Sequence, residues 1–238
     1  MPATYLIPLL DITEPVNPTY SRAAFTSLMD DGRAEWSHKP DAKPYTISQA
    51  FLDEDGWVGI EVSVLTDAAE EQLFEGVARS GQLRLGRNFT RVATPLLQES
   101  AAWEELASLR QRRWTIELFT PTTFRHRSDR ILAPHAGIIL RAAAEAWQLF
   151  SPVELEPLAH DDAHAISIDS SGATQIKVSL PPPSRLRKIP SLVGTLSFEC
   201  HDEAVAAKVA PLFNLMSFTG VGSHRNLGFG LTRLISAE

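Results

Sequence analysis

The sequence predicts an α+β protein made of tandem ferredoxin-like domains, each ordered βαββαβ, with a glycine-rich loop near the C-terminus. Three observations lead there. Strand-like alternation and helix-like spacing follow one another in the same order twice along the 238 residues. The turn and capping residues fall at the joints between these segments. The chain ends in helix, glycine cluster, strand. The expected boundaries are 1–97 for the first domain, 98–113 for a linker and 114–238 for the second. The copies share no residue-level similarity, and a single mixed α+β domain is the alternative.

In the first copy, Tyr5 to Ile12 reads as a strand and Thr19 to Asp30 as a helix, with Tyr20, Ala24, Leu28 and Phe25, Met29 at helical spacing. Lys43 to Phe51 and the alternating Val58, Ile60, Val62, Val64 predict a hairpin turning at Asp53 to Gly56. Thr66 or Asp67 can cap a helix with Leu73, Phe74 and Val77 inward and Ser80, Gly81 at its end. Leu83 to Thr94 is then the expected fourth strand. Gln98 to Arg113 is charged, and Trp103, Leu106 and Leu109 give it one apolar edge, as in a short linking helix.

The second copy opens with a strand at Trp114 to Phe119 and a helix at Pro134 to Phe150, its inner face Ile138, Ile139, Ala142 and Ala146. His164 to Ile168 and Gln175 to Leu180 read as an added hairpin about Ser170, Ser171 and Gly172. Pro181 to Pro183 cannot join a central strand and leads into the basic stretch Arg185, Arg187, Lys188. A strand with Leu192, Gly194, Leu196, Phe198 and Cys200 on one face follows. Asp202 caps a helix striped by Val205, Val209, Leu212, Phe213 and Met216, with Pro211 inside it.

That helix runs into Phe218 to Leu234, FTGVGSHRNLGFGLTRL, which holds Gly220, Gly222, Gly228 and Gly230. Four glycines within eleven residues call for positive backbone torsions or the close approach of an anion, whose oxygens backbone N–H groups can cradle. The plainer explanation is a tight connection into a last edge strand. Neither a nucleotide-binding P-loop nor a dinucleotide fingerprint fits the order helix, glycine loop, strand. A second polar cluster, His38 to Ser48 (HKPDAKPYTIS), combines an imidazole, two ammonium groups and hydroxyls. Imidazole is the usual acid or base at neutral pH, and lysine stabilises phosphate charge as it develops.

Other constellations carry less. His160 and His164 stand four apart with Asp161 and Asp162 between them, a metal pair only if helical and without a third ligand in view. The five tryptophans read as packing residues. Cys200, the one cysteine, allows no intrachain disulfide and fits a reducing compartment. No basic leader or membrane-length apolar stretch occurs, so a cytoplasmic protein without membrane partners is expected. The net charge of −7 weighs against nucleic acid, but the deficit is N-terminal: residues 1–100 hold 8 basic and 15 acidic residues, the remainder 14 of each. Basic clusters at Arg110, Arg112, Arg113, at Arg125, Arg127, Arg130 and at Arg185, Arg187, Lys188 all lie in the second part.

The pattern G-hydrophobic-G, five residues with one basic, G-hydrophobic-G resembles the C-terminal signature of the CRISPR-associated repeat-RNA endoribonucleases. His38, Lys43, Tyr45, Thr46 and Ser48 resemble that family's N-terminal motif, and Phe119 to Arg125 (FTPTTFR) its second-domain strand end. The resemblance implies cleavage of precursor CRISPR RNA within repeats without a metal or other cofactor. The ribose 2′-OH attacks the adjacent phosphate, leaving a 2′,3′-cyclic phosphate and a 5′-OH. It implies His38 as base or acid and Lys43 as stabiliser of the phosphorane charge. Gly220, Gly222, Gly228, Gly230 and Arg225 would bind the RNA backbone, with Arg125, Arg127, Arg185, Arg187 and Lys188 as further contacts. His224 is a phosphate contact, a base-stacking residue or a rival catalyst. Some members carry a tyrosine on the first helix where this chain has Thr26. The implied partners are CRISPR repeat RNA and other CRISPR-associated proteins, with the chain a monomer or homodimer. The alternatives are a non-cutting RNA-binding subunit of a CRISPR effector complex and, from His160, Asp161 and His164, a metal-dependent phosphohydrolase.

Overall fold

The computed structural model describes residues 1–13, 18–29, 43–52, 56–126, 129–133, 135–159, 161–179 and 188–238. They form two compact units, Met1–Ala101 with Asn226–Gly228, and Ala102–Arg225 with Phe229–Glu238.

The first unit runs β1 (Ala3–Pro8), α1 (Pro18–Met29), β2 (Tyr45–Ile47), β3 (Phe51–Leu52), β4 (Val58–Val64), α2 (Asp67–Ser80), β5 (Gln82–Leu85), β6 (Asn88–Arg91) and β7 (Leu96–Ser100). Its main sheet has the order β2-β4-β1-β7 with antiparallel neighbours, the split βαβ arrangement of a ferredoxin-like domain. Tyr5, Ile7, Ile60, Val62 and Val64 meet Phe25, Leu28, Met29 and Leu73 in its core. The two helices approach closely at Gly76, where a Cβ would lie 2.7 Å from the Leu28 carbonyl oxygen. Thr66 caps α2 by accepting from the Ala69 N–H, and Gly81, left-handed at φ 58°, ends it. The Glu70 carboxylate in the first turn accepts from the Tyr5 hydroxyl.

One expected strand is corrected. Leu83 to Thr94 does not run as the fourth strand: β5 and β6 fold into a separate hairpin, and β7 supplies the sheet edge. Gly86 at φ 69° turns that hairpin, and its Leu83 and Leu85 still enter the core.

The second unit runs α3 (Trp103–Ser108), β8 (Arg113–Thr122), β9 (Phe124–His126), β10 (Asp129–Ile131), α4 (Ala136–Ile139), α5 (Arg141–Phe150), β11 (Ile166–Asp169), β12 (Ala173–Val178), β13 (Ile189–Cys200), α6 (Glu203–Thr219) and β14 (Thr232–Ala237). Its sheet order, β11-β13-β8-β14, repeats that of the first. Trp114 stacks on Phe213 of α6 at 4.2 Å between ring centroids, with Phe198 against the same ring. Trp103 meets Trp147 edge-on at 5.2 Å.

The hairpin expected about Ser170 to Gly172 is also corrected. β11 and β12 both run antiparallel to β13 and follow one another along its free side. Asp169 holds the step between them by accepting from the Ser171 N–H, so the chain shifts without reversing. β9 and β10 pair antiparallel with each other, apart from the main sheet. The helix expected over Pro134 to Phe150 is divided into α4 and α5 at Leu140.

Among the described residues, no helix is long and apolar enough to cross a membrane and no cluster of three or more metal-type ligands occurs. Asp161–Ala165 forms a 3-10 turn, and Asp162 is engaged by Lys208 and by the Ala159 N–H. Cys200 is buried, which pushes its thiol up and leaves it unsuited to nucleophilic chemistry.

Candidate nucleic-acid interface

The expected site residues divide by what the chain does around them. His38, Arg127, Arg185 and Arg187 lie outside the described residues, as does His160.

Lys43, half-buried, stands two residues before β2. Pro44 pins the strand entrance by accepting from the Leu65 N–H. Tyr45 and Ile47 point into the core while Thr46 takes the other face, so the aromatic-Thr-x-Ser portion of the motif is strand-building. Ser48 is buried: its hydroxyl accepts from the Glu61 N–H and donates to the Gln49 carbonyl. Asn226–Gly228 belongs to this first unit, where a Cβ on Gly228 would strike the backbone of Ser48 and Gln49. Gln49 Nε2 is buried and unpartnered among the described residues. On α1, Thr26 is half-buried, Phe25 is in the core, and the exposed Tyr20 ring lies over Gly86.

All four glycine torsions fall in the left-handed region, at φ 62° for Gly220, 77° for Gly222 and 74° for Gly230 in the second unit, and 75° for Gly228 in the tripeptide assigned to the first. The outer pairs clasp each other. Val221 N–H donates to Gly230 O at 2.6 Å, and a Cβ on Gly220 would sit 2.6 Å from that same oxygen. The seat of the clasp is the FTPTTFR segment, about a hundred residues earlier in the chain. Gly230 N–H donates to Pro121 O at 3.1 Å, Leu231 N–H to Thr120 Oγ1 at 3.0 Å, and Ser223 N–H to Thr123 O at 2.8 Å. A Cβ on Gly222 would stand 2.5 Å from Thr123 O. The glycines are therefore required by backbone crowding, while the Gly222 and Gly228 N–H groups take no part in these bonds.

Arg225 is turned inward. Its guanidinium donates to Thr219 O at 3.1 Å, satisfying a carbonyl at the end of α6, and burial lowers its affinity for the proton. This bond ties the guanidinium to the loop's own backbone. Arg225→Ala is expected to lower stability by about 1–3 kcal/mol, read by urea unfolding, because a buried carbonyl loses a charged donor.

His224 is the one non-glycine residue with positive φ, 64°, among the described residues. Its ring meets Phe229 at 6.2 Å between centroids. Burial, then Arg130 and Arg125, hold its pKa below the ordinary histidine value. Arg125, exposed, and Arg130 pair across the β9-β10 hairpin. The site read from the sequence leaves Arg130 out; its signal is the five-residue spacing from Arg125, its partner in the strand register. Lys188 is exposed immediately before β13. The Arg110 cluster serves the fold: Arg110 binds carbonyls of α3 and its end, Arg112 those of Cys200 and His201, and Arg113 the Glu199 carboxylate.

Residues 116–232, from β8 into β14, match the family model described as CRISPR-associated endoribonuclease Cas6. In fold the chain is similar to a Cas6 product complex (20% identity, TM-score 0.79, 99% of this chain and 100% of that one). It is also similar to a second Cas6 product complex (20%, 0.80, 99% of each) and to Thermus thermophilus Cas6 (19%, 0.67, 99% and 98%). At these identities the likeness concerns the fold alone, and it extends over both ferredoxin-like units. No match was found among curated proteins. The match takes in both the FTPTTFR segment and the glycine loop, and it places this part of the chain, residues 116–232, in the CRISPR-associated endoribonuclease Cas6 family.

Proposed function

We propose that this protein processes precursor CRISPR RNA by cutting within each repeat without a metal. The 2′-OH upstream of the cut attacks the adjacent phosphate, and the products carry a 2′,3′-cyclic phosphate and a 5′-OH. The observation that carries this reading is the family match over residues 116–232. His38 serves as general base or acid, and Lys43, at the entrance of β2, offsets charge on the phosphorane. In-line placement of the ribose oxygen and these two groups suffices, because an intramolecular nucleophile needs orientation more than activation. The glycine loop, Arg125, Arg127, Arg185, Arg187 and Lys188 hold the RNA backbone, and Arg225 keeps the loop in shape for it. The protein acts in the cytoplasm, as monomer or homodimer, alongside other CRISPR-associated proteins.

Thr26, where some relatives have a tyrosine, favours a second reading: an RNA-holding subunit that does not cut. End-labelled repeat RNA incubated with the protein in EDTA separates the two. Cleavage that a single 2′-deoxy residue at the cut abolishes is the expected result. Tight binding with no cleavage, with or without added divalent ions, identifies the holding subunit. Cleavage that EDTA abolishes sinks the metal-independent mechanism.

A further inference from the structure

His224 carries two local costs at once. A residue with a Cβ stands at φ 64°, and its Nε2 is shielded from water with no hydrogen-bond partner among the described residues. Buried polar atoms are nearly always paired, and strain of this kind gathers at binding sites. The residue as a whole is only half-buried, so the ring lies just beneath the surface of the loop.

The charged groups acting on this imidazole are Arg130 of β10 and Arg125 of β9, and no carboxylate is among them. The two guanidiniums are direct cross-strand partners, a like-charge pairing that destabilises an isolated two-stranded ribbon. Neither forms an ion pair with a described carboxylate. Phe229 meets the ring in a T-shaped arrangement and brings no charge to it. Ser223, tied to Thr123 O by both its N–H and its hydroxyl, fixes the loop beside the root of the hairpin. The bridge between Thr123 and Ser223 thus brings the backbone next to His224 to within two residues of Arg125, which Arg130 faces across the ribbon.

We propose that Arg125, Arg130 and His224 form a binding site for one phosphodiester of the RNA, and that docking of this anion is accompanied by uptake of a proton at His224 Nε2. The inference rests on the RNA-binding reading above. The proton comes from solvent, and no bond in the RNA is made or broken. A phosphate oxygen neutralises the guanidiniums that oppose charging of the ring, and it accepts from the new Nε2–H.

The sign follows by linkage. In the free protein His224 binds its proton more weakly than an ordinary histidine and is neutral at pH 7. In the complex it binds the proton more strongly. The bound state thus holds more protons, and affinity rises as pH falls through that interval. The free fold behaves oppositely: a depressed histidine favours folding above the ordinary value and that contribution is lost as pH falls below it.

The test is fluorescence anisotropy of repeat RNA between pH 8 and pH 6, with His38→Ala protein so that neither cleavage nor His38 titration intrudes. The expected Kd falls with pH, approaching about tenfold per pH unit for one proton. Adding His224→Asn, which accepts the left-handed torsion and does not titrate, flattens this slope. Arg130→Gln reduces the salt slope by about one phosphate contact. In the parent, the His224 imidazole NMR signals titrate at higher pH with RNA than without. An undiminished pH slope in His224→Asn, or a His224 titration unmoved by RNA, overturns the proposal while leaving RNA binding intact. Absence of binding at every pH overturns the RNA reading beneath it as well.

Discussion

Replacing His38 by alanine is expected to slow repeat-RNA cleavage about 10²- to 10⁴-fold while changing RNA affinity less than about twofold. The asymmetry follows from where each energy arises. Proton transfer at the 2′-OH and the leaving 5′-oxygen exists only in the transition state, so losing its carrier costs rate. Affinity comes from phosphate contacts spread over the glycine loop and the basic side chains, none of which alanine at 38 removes. Lys43→Ala is expected to lose rate too, with some affinity, because an ammonium group attracts the phosphate before as well as during reaction. Single-turnover cleavage and anisotropy on the same RNA separate the two quantities. Equal cleavage by His38→Ala and its parent sinks the assignment of His38.

Gly230→Ala is expected to destabilise the protein by about 2–4 kcal/mol. The torsion of 74° costs an alanine about 1–2 kcal/mol, and the new methyl would drive into the Val221 carbonyl, forfeiting the hydrogen bond that closes the loop. Gly56→Ala is the matched control. Its φ of 81° is as unfavourable, yet a Cβ there meets nothing within 4 Å, so only the torsional cost of about 1 kcal/mol applies. Urea unfolding of the two variants reads the difference. Equal losses would mean that the clasp between Val221 and Gly230 contributes nothing. RNA affinity is expected to fall for Gly230→Ala and to hold for Gly56→Ala.

What could be read beforehand depended on how local its cause was. β4, β13 and α6 declare themselves because each buries a periodic set, as Val58, Ile60, Val62 and Val64 do. The fourth strand of the first unit did not, because Gln82 to Arg91 has strand-like chemistry and spends it on its own hairpin around Gly86. The step at Ser170 to Gly172 looked like a reversal. Turn residues report a bend, whereas the partner strand decides its outcome. At the site, the glycine spacing was visible in sequence, but its cause was not. The oxygens that exclude side chains there belong to Thr123, Val221 and Gly230, positions no local pattern could pair. Arg225 looked like a free cation among polar neighbours, and its inward turn toward Thr219 comes from tertiary packing alone.

The length of β13 has a consequence for how the second unit comes apart. β8 bonds one side of it from Leu192 to Glu199, and β11 and β12 share the other from Cys200 back to Ile189. Either short strand can peel away while β13 stays anchored to β8, so the edge can fray in two independent pieces. Freeing β13 itself breaks ladders on both sides and exposes Leu196 and Phe198 to water. The amides of this strand that both ladders enclose, from Leu192 to Glu199, are thus expected to exchange more slowly than those of β11 and β12.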